Sequence, residues 1–274
     1  MTHPTNPAYE GVKAELIKAD VAPLEAPRAL LLSAQQGSGK STLLRNLQQQ
    51  FPDEERPVVI DRENLREKHP RYGEICRGGL PGVYESVSGE IFEWMQWLLQ
   101  DAIEARLHAV IEATLDQTDL IAHIAKNFNA SGYQTEIYCL AVPRRQSMLG
   151  MFLRCEEGLK RTGATRWPVI PAHDQVYEST AASLNRLAAA GAFKQAFVHR
   201  LDGTLLHHSN DGITPETIQA IENERNRTPT GTERSQHLKM WRGLSQEVAA
   251  REGPKPDWYV QTVERELQAA IQNG

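Results

Sequence analysis

Apolar positions in this chain gather into short runs, with longer amphipathic stretches between them. Five runs of strand length are bounded by turn residues: ALLLSA at 29–34, PVVID at 57–61, HAVIEAT at 108–114, EIYCLAV at 136–142 and FVHRL at 197–201. Such runs predict buried strands. The intervening segments 41–50, 85–106, 118–131, 146–160 and 175–190 carry helical patterns. Strands that alternate with helices predict a mostly parallel sheet covered on both faces, with ligands collecting at the carboxyl ends of its strands. RLDGTLLHHS, 200–209, predicts a hairpin, because Asp202-Gly203 is a tight-turn dipeptide between β-capable residues. After Asn210 the chain becomes polar, and NERNRTPTGTERS at 223–235 predicts a loop. In WYVQTVERELQAAIQ, 258–272, one helical face carries Val260, Val263, Leu267 and Ile271 and is expected to pack on its own domain.

The first run leads directly into candidate chemistry. Ala34-Gln35-Gln36-Gly37-Ser38-Gly39-Lys40-Ser41 fits the phosphate-loop pattern with Ala in place of the first Gly, after a strand and before a helix. Glycines let backbone N–H groups converge on phosphate oxygens, and the following helix offers its positive end. Gln36, Gly37, Ser38, Gly39, Lys40, Ser41 and Thr42 are therefore the expected nucleotide cradle. Within it Lys40 reaches the outer phosphates, and the Ser41 hydroxyl ligates Mg²⁺.

Two acidic groups close other strands. In VVIDRENLREKHPRY, Asp61 ends the run and Glu63 follows two residues later; in VIEATLDQTD, Glu112 and Thr114 stand at the strand end. A basic segment, RCEEGLKRTGATRWP, carries Arg154, Lys160, Arg161 and Arg166. Lid arginines neutralise charge that spreads over a transferred phosphoryl group, and a carboxylate near it accepts a hydroxyl proton. Any one of these residues alone reads as a helix cap or a solvated face. Together, behind a phosphate loop, they point to a small-molecule kinase.

Composition narrows the field. The chain has 274 residues, 40% hydrophobic and 24% charged, with a net charge of −5, which argues against nucleic acid as a primary partner. No apolar run reaches membrane-spanning length and the amino terminus lacks a signal-peptide core, so a cytoplasmic protein is expected. Cys76, Cys139 and Cys155 form no CxxC pair, and His199, His207 and His208 lack metal-ligand spacing.

At this point the sequence resembles the zeta toxin family of toxin–antitoxin systems, P-loop kinases of UDP-N-acetylglucosamine. The resemblance runs from Ala29 to His207. It rests on SAQQGSGKST, VVIDRENLREKHPRY, VIEATLDQTD, YQTEIYCLAVPRRQSMLGMFLRCEE, TRWPVIPAHD and LAAAGAFKQAFVHRLDGTLLH, in that order. It implies a three-layer P-loop kinase-like α/β fold over 28–209 with a small lid, an amino-terminal extension (1–27) and a helical carboxyl-terminal extension (210–274). Within 1–27, the helix-like EGVKAELIKADVA is expected either to cover the site or to cap the domain. The implied ligands are ATP, Mg²⁺ and a UDP-sugar, and the implied partner is an antitoxin.

Residue by residue, Lys40 and Ser41 resemble the ATP and metal residues, Glu112 and Thr114 those that engage the amino sugar, and Arg154 and Arg166 the lid pair. The family's base is the second acid of an Asp-x-Asp sequence; here Asp61 matches the first position and Glu63 the second. Gln96 stands where the family uses a helical glutamate, and Glu93 lies nearly one turn earlier. These departures keep two alternatives open: a kinase of another acceptor, such as NAD, an aminosugar or an antibiotic, or a weakly catalytic nucleotide-binding regulatory module.

Overall fold

The computed structural model describes residues 6–18, 21–74, 81–163, 165 and 167–272. Six strands form one sheet in the order β2-β3-β1-β4-β5-β6. They are β1 (Arg28–Ser33), β2 (Val58–Ile60), β3 (Ala109–Ala113), β4 (Gln134–Leu140), β5 (Gln195–His199) and β6 (Leu205–Ser209). All neighbours run parallel except β6, which returns antiparallel on β5 through the Asp202-Gly203 turn. Each apolar run thus becomes a strand, and the hairpin forms as its turn residues predict.

The two-residue period of a strand divides its side chains between two cores. Ala29 and Leu31 of β1 face a large core built with α1 (Pro7–Leu16), α4 (Pro81–Glu104), α5 (Thr118–Ala130) and α7 (Ile170–Ala189). Leu30 and Leu32 face the other side, against Leu43 and Leu47 of α2 (Lys40–Gln48). The result is the expected three-layer α/β fold.

Helix α1 caps the large core and is held there by polar bonds. Buried Tyr9 donates its hydroxyl to Asp101 of α4 at 2.5 Å, and Lys13 pairs with the same carboxylate at 2.9 Å.

The chain beyond Asn210 is more helical than its polarity predicts. The stretch read as a loop at 223–235 contains the end of α8 (Pro215–Arg225) and the start of α9 (Gly231–Ala250). A capping box explains the restart: the Thr230 side chain accepts from the backbone of Glu233, whose carboxylate accepts from Thr230 N.

The last helix, α10 (Asp257–Gln272), packs with α9 on α6 (Arg144–Thr162), around Met148, Phe152, Trp241, Tyr259 and Val263. Its buried face is centred on Tyr259, Val263, Glu266 and Ala270, which leaves Ile271 of the expected stripe 44% exposed. Cys139 and Cys155 are buried free thiols, and burial pushes Cys139 up to about 12; Cys76 lies outside the described residues. Among the described residues no helix is long and apolar enough to cross a membrane.

Candidate active site

The phosphate loop spans the gap between β1 and α2, and its shape requires its glycines. Gly37 and Gly39 adopt φ of +72° and +86°, in the left-handed region. A Cβ on Gly37 would lie 2.0 Å from the Ser147 carbonyl oxygen of α6, and one on Gly39 would lie 2.7 Å from Leu201 Cδ1. The loop is therefore pressed against α6 with backbone touching backbone. Ser38 Oγ closes it from within by donating to Gln35 O at 2.7 Å. Gln36 is half-buried, and Ser41 and Thr42 stand exposed on the first turn of α2.

Lys40 opens that helix. Its Nζ donates to Ala34 O and Gln35 O, each at 3.2 Å, and lies 3.5 Å from Glu112 Oε1. The pair meets because β1 and β3 are adjacent and in register, with Leu32 opposite Glu112. Burial lowers the Lys40 ammonium below its ordinary value, Glu112 opposes that shift and the Arg154 charge adds to it. Burial likewise raises Glu112, with Lys40 pulling it back. The Asp61 carboxylate acts on both groups, and so does the exposed Arg154 guanidinium. Lys40, Glu112, Asp61 and Arg154 are thus brought to one place.

Asp61 and Glu63 take different environments. Asp61 is the N-cap of α3 (Arg62–Glu67): Oδ1 accepts from Glu63 N at 3.0 Å and Oδ2 from Asn64 N at 3.2 Å. Glu63 lies on the first turn, its side chain 44% exposed, and accepts from Arg66 at 2.6 Å. Arg62 donates to Gln117 Oε1 at 2.7 Å, tying this helix to the loop that carries half-buried Thr114. Gln96 is half-buried and Glu93 exposed on α4, which packs against α3. Arg166 lies outside the described residues.

Sequence reading missed the support behind the loop. Gln35 is fully buried; its Nε2 donates to Val142 O at 2.9 Å and to Ser147 Oγ at 3.2 Å. Its Oε1 accepts from Arg225 of α8 at 3.0 Å, across 190 residues of sequence. Ser147 Oγ is 2.8 Å from His173 Nε2, His173 Nδ1 is 2.9 Å from Asp174, and Arg144 grips Asp174 with two bonds. The carboxylate needs a donor from Nδ1, so Nε2 is the acceptor of the serine proton. The local signal for this network was a Gln placed directly after the buried apolar run that ends at Ala34.

The family model described as Zeta toxin matches residues 13–212. The chain belongs to the zeta toxin family. A zeta toxin from Streptococcus pyogenes is 28% identical over 220 residues, covering 80% of this chain and 76% of that protein. A solved chain of the PezAT chromosomal toxin–antitoxin system of Streptococcus pneumoniae superposes with a TM-score of 0.72 at 18% identity, covering 98% of each chain. A chain of the AvrRxo1-ORF1:-ORF2 complex with ATP gives 0.55 at 13% identity, over 96% of this chain and 82% of that one. The zeta toxin family is one of ATP-dependent kinases, and the P-loop kinase-like fold expected from the resemblance is the fold found.

The arrangement also suits a metal carried in with phosphates. Among the described residues no group of three or more His, Cys, Asp or Glu could hold a metal alone. Mg²⁺ needs no such cage, since it keeps waters and phosphate oxygens and takes only one or two protein ligands. The exposed Ser41 hydroxyl beside Lys40 fits that role.

Proposed function

We propose that this zeta-type kinase transfers the γ-phosphoryl group of ATP to a hydroxyl of a UDP-sugar, UDP-N-acetylglucosamine, and acts as a toxin restrained by an antitoxin. The observation that supports transfer most is the Lys40–Glu112 pair at 3.5 Å, within the field of Asp61 and Arg154. One ammonium, one exposed guanidinium and two carboxylates at a phosphate cradle suit charge stabilisation beside proton acceptance. Gln36 to Thr42 hold the nucleotide, with Ser41 toward the metal; Mg²⁺ supplies charge neutralisation at the phosphates. Lys40, Arg154 and Arg166 stabilise the charge that develops on transfer.

Glu63 is the proton acceptor in this reading. Both Asp61 oxygens already accept backbone N–H groups as the cap of α3, which ties that side chain to the helix terminus, whereas Glu63 stands on the first turn with Arg66 as a side-chain partner. Glu112, Thr114 and Gln96 engage the sugar. The chain's similarity to zeta toxins supports the acceptor class, and neighbours from toxin–antitoxin systems support the antitoxin. Cytoplasmic action follows from an acceptor of that class.

The test is product mass after incubation with ATP and a panel of UDP-sugars, NAD and aminosugars. A gain of one phosphoryl group on UDP-N-acetylglucosamine supports the proposal; a product only from NAD or an aminosugar replaces the acceptor. Glu63→Gln is expected to abolish turnover and spare ATP binding. Asp61→Asn tests the other acid cleanly, because Asn is as good an N-cap as Asp.

A further inference from the structure

A second cleft lies outside the phosphate loop, where α6 and α7 meet the α8–α9 connection. It has a volume of about 470 Å³, and its lining includes Arg144, Arg145, Arg225, Arg227, Arg234 and His237 against a single acid, Glu233. None of Gly37, Lys40, Asp61, Glu112 or Arg154 lines it. Five arginines around one cleft are notable in a chain whose net charge is −5.

The charges within it are unevenly balanced. Arg144 is neutralised by Asp174, and Arg227 by Glu224 and Glu233. Arg145 approaches Glu266 only to 3.7 Å. Among the described residues Arg225 and Arg234 form no ion pair. Arg225 is the more telling of the two. Its guanidinium lies 4.2 Å over the Tyr177 ring and donates to three neutral acceptors, Tyr177 O, Gln35 Oε1 and Thr180 Oγ1, while its Nε is buried without a partner. Arg225 is half-buried, and the carboxylate that acts on it, Glu222, is itself exposed, so an anion in the cleft would meet a guanidinium whose hydrogen bonds all go to neutral groups. His237 also lines the cleft, its Nε2 lying 3.2 Å from Trp241 Nε1 and 3.4 Å from the Arg145 carbonyl oxygen.

We propose that this cleft binds an organic or inorganic polyphosphate, and that occupancy is felt by the phosphate loop through Arg225 and Gln35. The donor set matches the ligand class. Guanidinium forks pair bidentately with phosphoryl oxygens, and a cleft of this size admits a ligand of nucleotide scale. The coupling has a physical path in the single bond from Arg225 to Gln35, whose other end holds Val142 O and Ser147. By linkage, an anion that favours the bonded Arg225–Gln35 arrangement also changes ATP affinity, and ATP changes the anion's affinity by the same factor.

The experiment is calorimetric titration of inorganic tripolyphosphate into the full chain carrying Lys40→Ala, which disables the phosphate loop and leaves the cleft untouched. Binding is expected to persist, to weaken with added salt, and to fall at least tenfold when Arg145→Gln and Arg234→Gln are added. Arg234→Gln alone is the folding-safe variant, since that side chain donates to the Pro229 carbonyl at 3.1 Å, and at least a threefold loss is expected from it. Loss of all binding in Lys40→Ala, or binding indifferent to both cleft variants, overturns the proposal. In the chain with Lys40 intact, tripolyphosphate should shift the ATP dissociation constant by a factor that levels off, and Arg234→Gln should raise the tripolyphosphate concentration needed for that shift; a shift that never levels off is competition at the loop and overturns the coupling.

Discussion

Lys40 Nζ and Glu112 Oε1 stand 3.5 Å apart at the carboxyl ends of two adjacent parallel strands. Each charge is disfavoured by burial and partly restored by the other. The lysine is therefore poised to trade its loop carbonyls and its carboxylate for phosphate oxygens.

Glu112→Gln should break this balance without changing shape. Lys40 loses its counter-charge and its ammonium becomes easier to deprotonate, so turnover should fall by about 100-fold, the scale of losing one preorganised electrostatic group. Steady-state rates with ATP and the phosphorylated acceptor measure it. A variant within threefold of the parent removes Glu112 from the site.

His173 makes stability depend on pH. Burial holds its folded pKa below the ordinary histidine value, with Asp174 only partly offsetting that. A depressed pKa contributes stability that is present above about 6.5 and is lost as pH falls through the folded value, because the unfolded chain takes up the proton first. The loss is at most about 1.4 kcal/mol per pH unit. His108 and His237 are lowered by burial as well, so the informative quantity is a difference. Urea unfolding of the parent and of His173→Gln should converge in stability as pH drops from 7 to 5.

Much of the fold was legible because its strands are apolar runs ended by turns, and the phosphate loop because its residue types are dictated by phosphate geometry. The carboxyl-terminal helices were harder. Segment 223–235 has almost no apolar face, and its order comes from the Thr230–Glu233 capping box and from Arg227 bridging Glu224 and Glu233. Arg225 could not be recognised there, since its partners Gln35, Tyr177 and Thr180 are distant in sequence. The strand-end acids were found, yet the pattern did not show that Asp61 would cap α3 while Glu63 paired with Arg66.

The packing of α10 on α6 rests partly on a buried ion pair. Glu156 is 2% exposed and accepts from Arg251 at 2.9 Å and from the Tyr259 hydroxyl at 2.8 Å. Removing one partner of such a pair strands a buried charge, so Arg251→Met should cost about 3 kcal/mol in denaturant unfolding. Adding Glu156→Gln should recover part of that loss, because the stranded charge is then gone. A double variant less stable than the single one would refute the assignment.

Two helical glycines should respond in opposite ways to the same added methyl group. In an exposed helix interior Gly→Ala removes unfolded-chain entropy and stabilises by about 0.5–1 kcal/mol. Gly89 on α4 meets that condition, since a Cβ there has nothing within 4 Å. Gly150 on α6 does not: its Cβ would lie 2.2 Å from the Gly37 carbonyl oxygen. Neither backbone can yield without moving the phosphate loop or the helix, so the propensity gain is overwhelmed by overpacking of about 1–3 kcal/mol. The strain falls on Gly37, whose own Cβ position is blocked by Ser147 and Met151 of the same helix. Gly150→Ala should therefore weaken ATP binding as well as stability, whereas Gly89→Ala should leave ATP binding unchanged. Thermal unfolding with and without ATP reads both effects: the ligand-induced rise in Tm should shrink in Gly150→Ala alone. An undiminished rise in that variant would mean that the loop binds nucleotide without its contact to α6.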